Sequence, residues 1–221
     1  MRRFLRENSL SIVMFGLFFV FLLAQSLTGW RTTNQENQEH QQPTESYVGY
    51  LVSGSFAEAT FENWESEFLQ MAGFVLLTVF LRQKGSPESK NVEGEEPVDE
   101  DPNEARDRQG VPGPVRRGGL ALAVYQNSLS LALIALFLMS FLFHALGGHA
   151  EYNQQQLEHG EAPASLISFV TSSQFWFQSF QNWQSEFLAV FALTVLGIFL
   201  RQRGSPESKP VAAPHAETGS S

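Results

Sequence analysis

Cysteine is absent from the 221 residues. That excludes a disulfide framework, a thiolate-bound metal and thiol catalysis. Positive charge is scarce: 14 Lys and Arg stand against 23 Asp and Glu, for a net charge of -9. So few basic residues argue against nucleic acid as a partner, since such binding needs a basic patch. The acidic excess gathers in residues 88–107 and says little about partners. Also missing are a Ser/His/Asp order, a Gly-rich phosphate loop and an H-E-x-x-H pair. The chain therefore offers no catalytic constellation, and neither a cofactor nor a bound metal is expected.

What is present is apolar length. The 20 phenylalanines lie almost entirely in or beside long uncharged blocks, which alternate with strongly polar ones. A self-comparison finds one constant spacing at which the chain repeats. Asn8-Ser9-Leu10-Ser11 recurs as Asn127-Ser128-Leu129-Ser130, Asn34-Gln35 as Asn153-Gln154, and Glu39-His40 as Glu158-His159. Phe61-x-Asn63-Trp64-x-Ser66-Glu67-Phe68-Leu69 recurs as Phe180-x-Asn182-Trp183-x-Ser185-Glu186-Phe187-Leu188. Gly85-Ser86-Pro87-Glu88-Ser89-Lys90 recurs from Gly204 to Lys209. Roughly 34 of about 84 aligned positions are identical without a gap, so one unit is used twice. Shared compositional bias would not place Trp, His and Pro at fixed points.

A membrane-spanning helix needs about 20 mostly apolar residues. Residues 9–28 and 128–148 meet that, and His144 is the one titratable group in the latter. The second span of each unit is expected over 63–81 and 182–200. Its strictly apolar stretches, 68–81 and 187–200, reach only about 14 residues. Upstream aromatics, Trp64 and Trp183 foremost, suit anchoring at a membrane interface. The start of the chain also reads like a signal peptide, with Leu23-Ala24-Gln25-Ser26 as cleavage site. The internal second copy of that segment argues for a retained span.

The fold expected is an all-α membrane protein with four transmembrane helices, arranged as two tandem helical hairpins in a same-orientation, parallel repeat. The first two-helix membrane repeat covers 1–84, a disordered cytoplasmic linker 85–119, the second repeat 120–203 and a disordered cytoplasmic tail 204–221. Every Lys and Arg except Arg31 then falls on one side, which the positive-inside rule makes cytoplasmic along with both termini. Two units pointing the same way should be related by an axis along the membrane normal.

Asn63, Ser66, Glu67 and Gln70 form one polar stripe at helical spacing. The second copy keeps Asn182, Ser185 and Glu186. Carboxylates inside a membrane segment are costly and usually face a bundle interior. Gln25 and His144 lie at similar depth on the first span of each unit, which motivates a Glu186–His144 pair. These residues are a candidate polar or ion site. Their plainer role is to glue helices in the first turn, where the helix dipole favours an acid. Glu39-His40 and Glu158-His159 have ligand chemistry but fit solvated loops better. Gly16, Gly73 and Gly197 suit close helix packing.

The N-S-L-S start, the Gln25 to Trp30 span end, the Glu39-His40 loop and above all Phe61-Glu-Asn-Trp-Glu-Ser-Glu-Phe-Leu-Gln resemble a bacterial membrane-protein family catalogued as a domain of unknown function. That resemblance implies a bacterial inner membrane and brings no activity or catalytic residue. The second copy departs from it at His149 and His144, which replace Trp30 and Gln25. The reading for function is a polytopic inner-membrane protein with a structural or interaction role in the envelope, not an enzyme. The alternative is a small proton- or cation-conducting channel or transporter using Glu67 and Glu186. The partners expected are the lipid bilayer and, for a conduction path, a second copy of the chain.

Overall fold

A computed structural model describes residues 2–219 of the chain. Its long elements are all helices, and among the described residues no strand occurs. The first half contains α1 (Arg2–Glu7), α2 (Ser9–Glu39), α3 (Tyr47–Leu51) and α4 (Gly54–Phe80). The second contains α5 (Gly113–Arg117), α6 (Gly119–Gln126), α7 (Ser128–Glu158), α8 (Leu166–Val170) and α9 (Ser173–Phe199). Helices α2 and α7 are both 31 residues long, α3 and α8 both 5, and α4 and α9 both 27. Each pair begins and ends at matching positions of the sequence repeat.

Three helices, α2, α7 and α9, are long and apolar enough to cross a membrane. The fourth span expected from sequence lies within α4, which is not among them. Glu65, Glu67 and Gln70 dilute its apolar stretch, whereas the matching positions of α9 hold Gln184, Glu186 and Ala189. The apolar part of α2 is almost wholly exposed, from Leu10 through Phe15, Phe18, Phe19 and Phe21 to Leu23. An aqueous protein would not leave such a surface uncovered; lipid covers it at no cost.

The chain divides into two compact units, each drawing on both repeats. One comprises residues up to Phe61 together with Phe143–Ser172. Here α4 and the second half of α7 approach closely through small residues. A Cβ on Gly54 would fall 2.8 Å from the Glu151 backbone nitrogen and the Gly147 carbonyl oxygen. A Cβ on Gly147 would lie 2.7 Å from the Glu58 nitrogen. Neither position tolerates a side chain without parting the helices. By contrast Gly16 has open space around it and Gly73 meets only the edge of Phe187. The glycines that pack backbone against backbone are thus not the ones singled out by their place in an apolar run.

The same unit holds the turns that follow α2 and α7, and both are built alike. Asn34 clamps the backbone of Glu45: the Glu45 N–H donates to Oδ1 at 2.6 Å, and Nδ2 donates to the Glu45 carbonyl at 2.9 Å. Asn153 clamps Ala164 in the same way, at 2.8 and 3.1 Å. The next residue caps the short helix that follows. Ser46 accepts from the Gly49 N–H at 3.1 Å and Ser165 from the Ser168 N–H at 3.2 Å. Trp30 Nε1 donates to the Glu45 carbonyl at 2.8 Å, and His149 Nε2, its counterpart, donates to that of Ala164 at 2.8 Å. Two different rings therefore deliver one N–H to one place. The second residue after each helix end adopts the left-handed region, Gln41 at φ +58° and Gly160 at φ +75°.

The other unit comprises Glu62–Leu142 and the chain from Ser173 onward. Its apolar centre is aromatic. Phe175, with no exposed surface, meets Phe141 edge-on at 5.4 Å, and Trp183 meets Phe137 at 6.3 Å. Lipid tails are as apolar as these rings, so van der Waals fit and polar bonds, not burial from water, must hold such helices together.

Candidate functional site

In this second unit the polar residues of α4 meet those of α9. Asn182 Nδ2 donates to Glu62 Oε1 at 2.5 Å and also reaches the Gln178 carbonyl at 3.3 Å. Trp183 Nε1 donates to Glu65 Oε1 at 2.9 Å. Glu65 has no exposed surface and Ser66 almost none. A carboxylate taken out of water costs several kcal/mol unless bonded, and an N–H donor to a charged acceptor returns about 1.5–3 kcal/mol. Both bonds run from the second copy's helix to acids found only in the first copy. Their counterparts on α9 are Gln181 and Gln184, which are exposed.

The residues expected from sequence are placed as follows. Glu67 and Asn63 are exposed, Glu186 and Asn182 half-buried, and Ser185 exposed. Glu67 and Glu186 lie near enough for their charges to interact. The hydroxyls of Ser66 and Ser185 both turn back onto their own helix, donating to the carbonyls of Asn63 and Asn182 at 2.8 Å. That local bond accounts for the serine in both copies without any ligand. Trp183 directs its N–H at Glu65, and Trp64 is half-buried. Gln25 and His144 belong to the first unit. There Gln25 Nε2 donates to Thr60 Oγ1 at 3.4 Å, and His144 is fully buried.

Sequence reasoning missed Glu65. It was passed over because the second copy holds a neutral Gln184 there. The signal available was that Glu65 lies three residues after Glu62, close to one helical turn, and so shares a face of α4 with it.

The Glu-His pairs sit at exposed helix ends. Glu39 and Glu158 accept from Gln35 and Gln154 one turn back, and His159 Nδ1 contacts the Gln155 carbonyl at 2.7 Å. Among the described residues no group of three or more His, Asp or Glu is placed to hold a metal ion.

The best-matched segments of the repeat form a second feature of this unit, a compact turn after α4 and again after α9. The Gln83 N–H donates to Ser89 Oγ at 2.8 Å and the Gln202 N–H to Ser208 Oγ at 2.9 Å. Arg82 Nη1 caps the Val79 and Leu81 carbonyls, and Arg201 Nη1 those of Gly197, Ile198 and Leu200. A cation at a helix C-terminus offsets the dipole's negative end. The two copies then diverge. Lys90 pairs with Asp99, whereas Lys209, 1% exposed, donates to the carbonyls of Pro214, His215 and Glu217 at 3.3, 3.0 and 2.9 Å. Burial, and then the charge of Arg201, depress the Lys209 ammonium below the usual lysine value, while Glu217 opposes the shift. The tail carries on to the first copy's turn, where the Gly85 N–H donates to Thr218 Oγ at 2.9 Å and the Gly219 N–H to the Ser86 carbonyl at 3.0 Å. Linker and tail, expected to be disordered, are thus described as hydrogen-bonded turns with short helices at Pro97–Asp99 and Gly113–Arg117.

A family described as a domain of unknown function, DUF6766, matches residues 1–220. No curated protein and no solved structure matches the chain.

Proposed function

We propose that this chain, which belongs to the DUF6766 family, is a four-span protein of a bacterial inner membrane whose role is structural or interactive, and not catalytic. The observation that carries the reading is how the acids of α4 are employed. Glu65 and Glu62 are bonded to Trp183 and Asn182 across a helix contact. Carboxylates so engaged act as cross-links, which suits a scaffold. The fourth span in this reading is the 63–81 part of α4. Its counterpart in α9 has the length and apolarity to cross, and two polar cross-links let α4 run beside it in spite of its acids. Lys and Arg after α4 and α9 support cytoplasmic ends for both.

The absence of cysteine makes topology easy to test. Single cysteines placed at Gly160 and at Gly204 should label with an impermeant thiol reagent from opposite sides of intact cells. Labelling of both from the same side would overturn the arrangement.

Proton or cation conduction through Glu67 and Glu186 is the second reading, favoured by one observation, the nearness of their charges. Purified protein in liposomes, loaded with a pH-sensitive dye and given a pH or potassium gradient, separates the two. Flux abolished in the Glu67→Gln/Glu186→Gln double variant would establish conduction. No flux from well-folded wild type would leave the scaffold reading standing.

A further inference from the structure

A cavity of about 360 Å³ opens between α4 and α9. Its walls are apolar, formed chiefly by Phe74, Leu77 and Leu81 on one side and Phe187, Phe191 and Val195 on the other. One end is polar, closed by Arg82, Gln83, Glu88 and Ser89. The volume is within the range of small-molecule sites, about 300–1,000 Å³. The space is thus a furrow of lipid character with a cation at its mouth.

The repeat itself indicates what that cation lacks. Arg201 occupies the equivalent position after α9. It is half-buried, and its Nη2 donates to the Ala213 carbonyl of the chain's own tail at 3.1 Å. Arg82 is exposed, and beyond the helix-end carbonyls held by Nη1 its other nitrogens have no hydrogen-bond partner among the described residues. One copy of the guanidinium has its oxygen acceptor supplied internally; the other presents the same donor edge at the end of an apolar furrow.

We propose that the furrow between α4 and α9 holds an acyl chain of one anionic phospholipid from the cytoplasmic leaflet, with the lipid phosphate on Arg82. The inference rests on the membrane orientation proposed above. A guanidinium fork suits a phosphate, and most of all one without the quaternary ammonium that offsets the phosphate charge in phosphatidylcholine; Lys84, exposed two residues on, adds to the positive field. Two features oppose an anion, the carbonyl end of α4 and the carboxyl of Glu88. The first is already capped by Arg82. The second stands at the polar end of the furrow, where burial, and then the charge of Glu207, raise its carboxyl above the usual range. Asp99 also opposes an anion, since its charge interacts with Arg82, but it is paired with Lys90.

The test uses the full chain in neutral detergent, offered phosphatidylglycerol and phosphatidylcholine with identical acyl chains, with retained lipid counted by native mass spectrometry. The expected result is a roughly fivefold preference for phosphatidylglycerol, the size of one basic contact to an anionic head group. Arg82→Gln should erase that preference and leave phosphatidylcholine retention unchanged. Val195→Trp, which fills the furrow, should lower retention of both lipids. Soluble glycerol 3-phosphate, added to the unaltered chain, should not displace the bound lipid. Equal retention of the two lipids by wild type, a preference that survives Arg82→Gln, or displacement by glycerol 3-phosphate would each overturn the lipid site while leaving the membrane reading intact. A chain that fails to fractionate with membranes would overturn both.

Discussion

Asn34 and Asn153 make the same prediction twice, which gives it an internal control. Each side chain exchanges two hydrogen bonds with one backbone residue across the turn that follows its helix, Glu45 in one copy and Ala164 in the other. A typical intramolecular hydrogen bond contributes about 0.5–1.5 kcal/mol net, so Asn34→Ala and Asn153→Ala should each cost about 1–3 kcal/mol. Asn37→Ala is the reference, since Asn37 makes one long bond, 3.4 Å, to the Pro43 carbonyl; it should cost under about 0.5 kcal/mol. Asn34→Asp is the more discriminating change. It keeps the acceptor for the Glu45 N–H but sets a carboxylate oxygen against the Glu45 carbonyl where a donor stood. At neutral pH it should therefore lose at least as much as one bond. On acidification the new acid gains a proton and with it a donor, so the folded state should bind that proton more tightly than the unfolded one. Stability should then recover as pH falls through the carboxylate range. The assay is denaturant unfolding in detergent micelles, followed by tryptophan fluorescence, at neutral and at mildly acidic pH. Costs for the two alanine variants that differ by more than about 1 kcal/mol, or an aspartate variant as stable as wild type at neutral pH, would refute the reasoning, because either would mean the bonds are replaceable by water.

The remaining predictions probe other parts of the chain. Gln41 holds φ +58° where its counterpart is Gly160, so Gln41→Gly should stabilise by roughly 0.5–1 kcal/mol, the left-handed strain outweighing the extra freedom of the unfolded chain; a lowered melting midpoint would contradict it. Gly147→Ala should cost about 1–3 kcal/mol because the new methyl meets the Glu58 and Ala57 backbone, while Gly16→Ala, in open space, should be neutral or stabilising; equal thermal shifts for the two would show that the crossing is not tight. Trp183→Phe removes the indole donor to Glu65 and should destabilise by about 1.5–3 kcal/mol in the same unfolding assay; an unchanged midpoint would show that the bond contributes nothing. Glu88 is held above the usual carboxylate range by burial and then by Glu207, so the folded chain binds its proton more tightly than the unfolded chain. Its contribution is full below the ordinary carboxylate value and is lost as pH rises through the raised one. Glu88→Gln should accordingly raise the melting temperature at neutral pH and leave it unchanged below about pH 4; an equal shift at both pH values would rule out titration as the cause.

The helices were legible because apolar periodicity and a repeat act locally. The uncharged run from Leu10 to Leu23 announces a helix, and the second copy at Leu129 to Leu142 announces it again. What was not legible depends on the rotation of one helix against another. Glu65 and Glu67 are two residues apart on α4, yet one is buried and the other exposed. Comparison of the copies favoured Glu67 because Glu186 preserves it, and so pointed to the acid left outside. The same comparison did mark Asn34 and Ser89 as shared, but their work is done on backbone atoms brought near by turns, which a string of letters does not reveal. The stretch from Arg201 to Lys209 has the polar composition of a solvated tail. The engagement of these two residues by carbonyls between Ala213 and Glu217 requires the tail to curl back, and nothing in a stretch of Pro, Ala and His foretells that. Membrane length was judged well for α2, α7 and α9 and less well for α4, where acids and Gln70 interrupt the apolar run.

Because the bonds each asparagine makes to its turn go to main-chain atoms, these turns are free to change their letters while keeping their shape. Between Gln41 and Glu45 the chain reads Gln-Gln-Pro-Thr-Glu, and between Gly160 and Ala164 it reads Gly-Glu-Ala-Pro-Ala, with no residue in common at matching positions. Backbone geometry at the clamp nonetheless agrees to within a few tenths of an ångström in its hydrogen-bond lengths. Such a joint lets drift accumulate in the turns without disturbing the helices they join, and it makes these two short turns the natural places to graft an epitope or exchange a sequence.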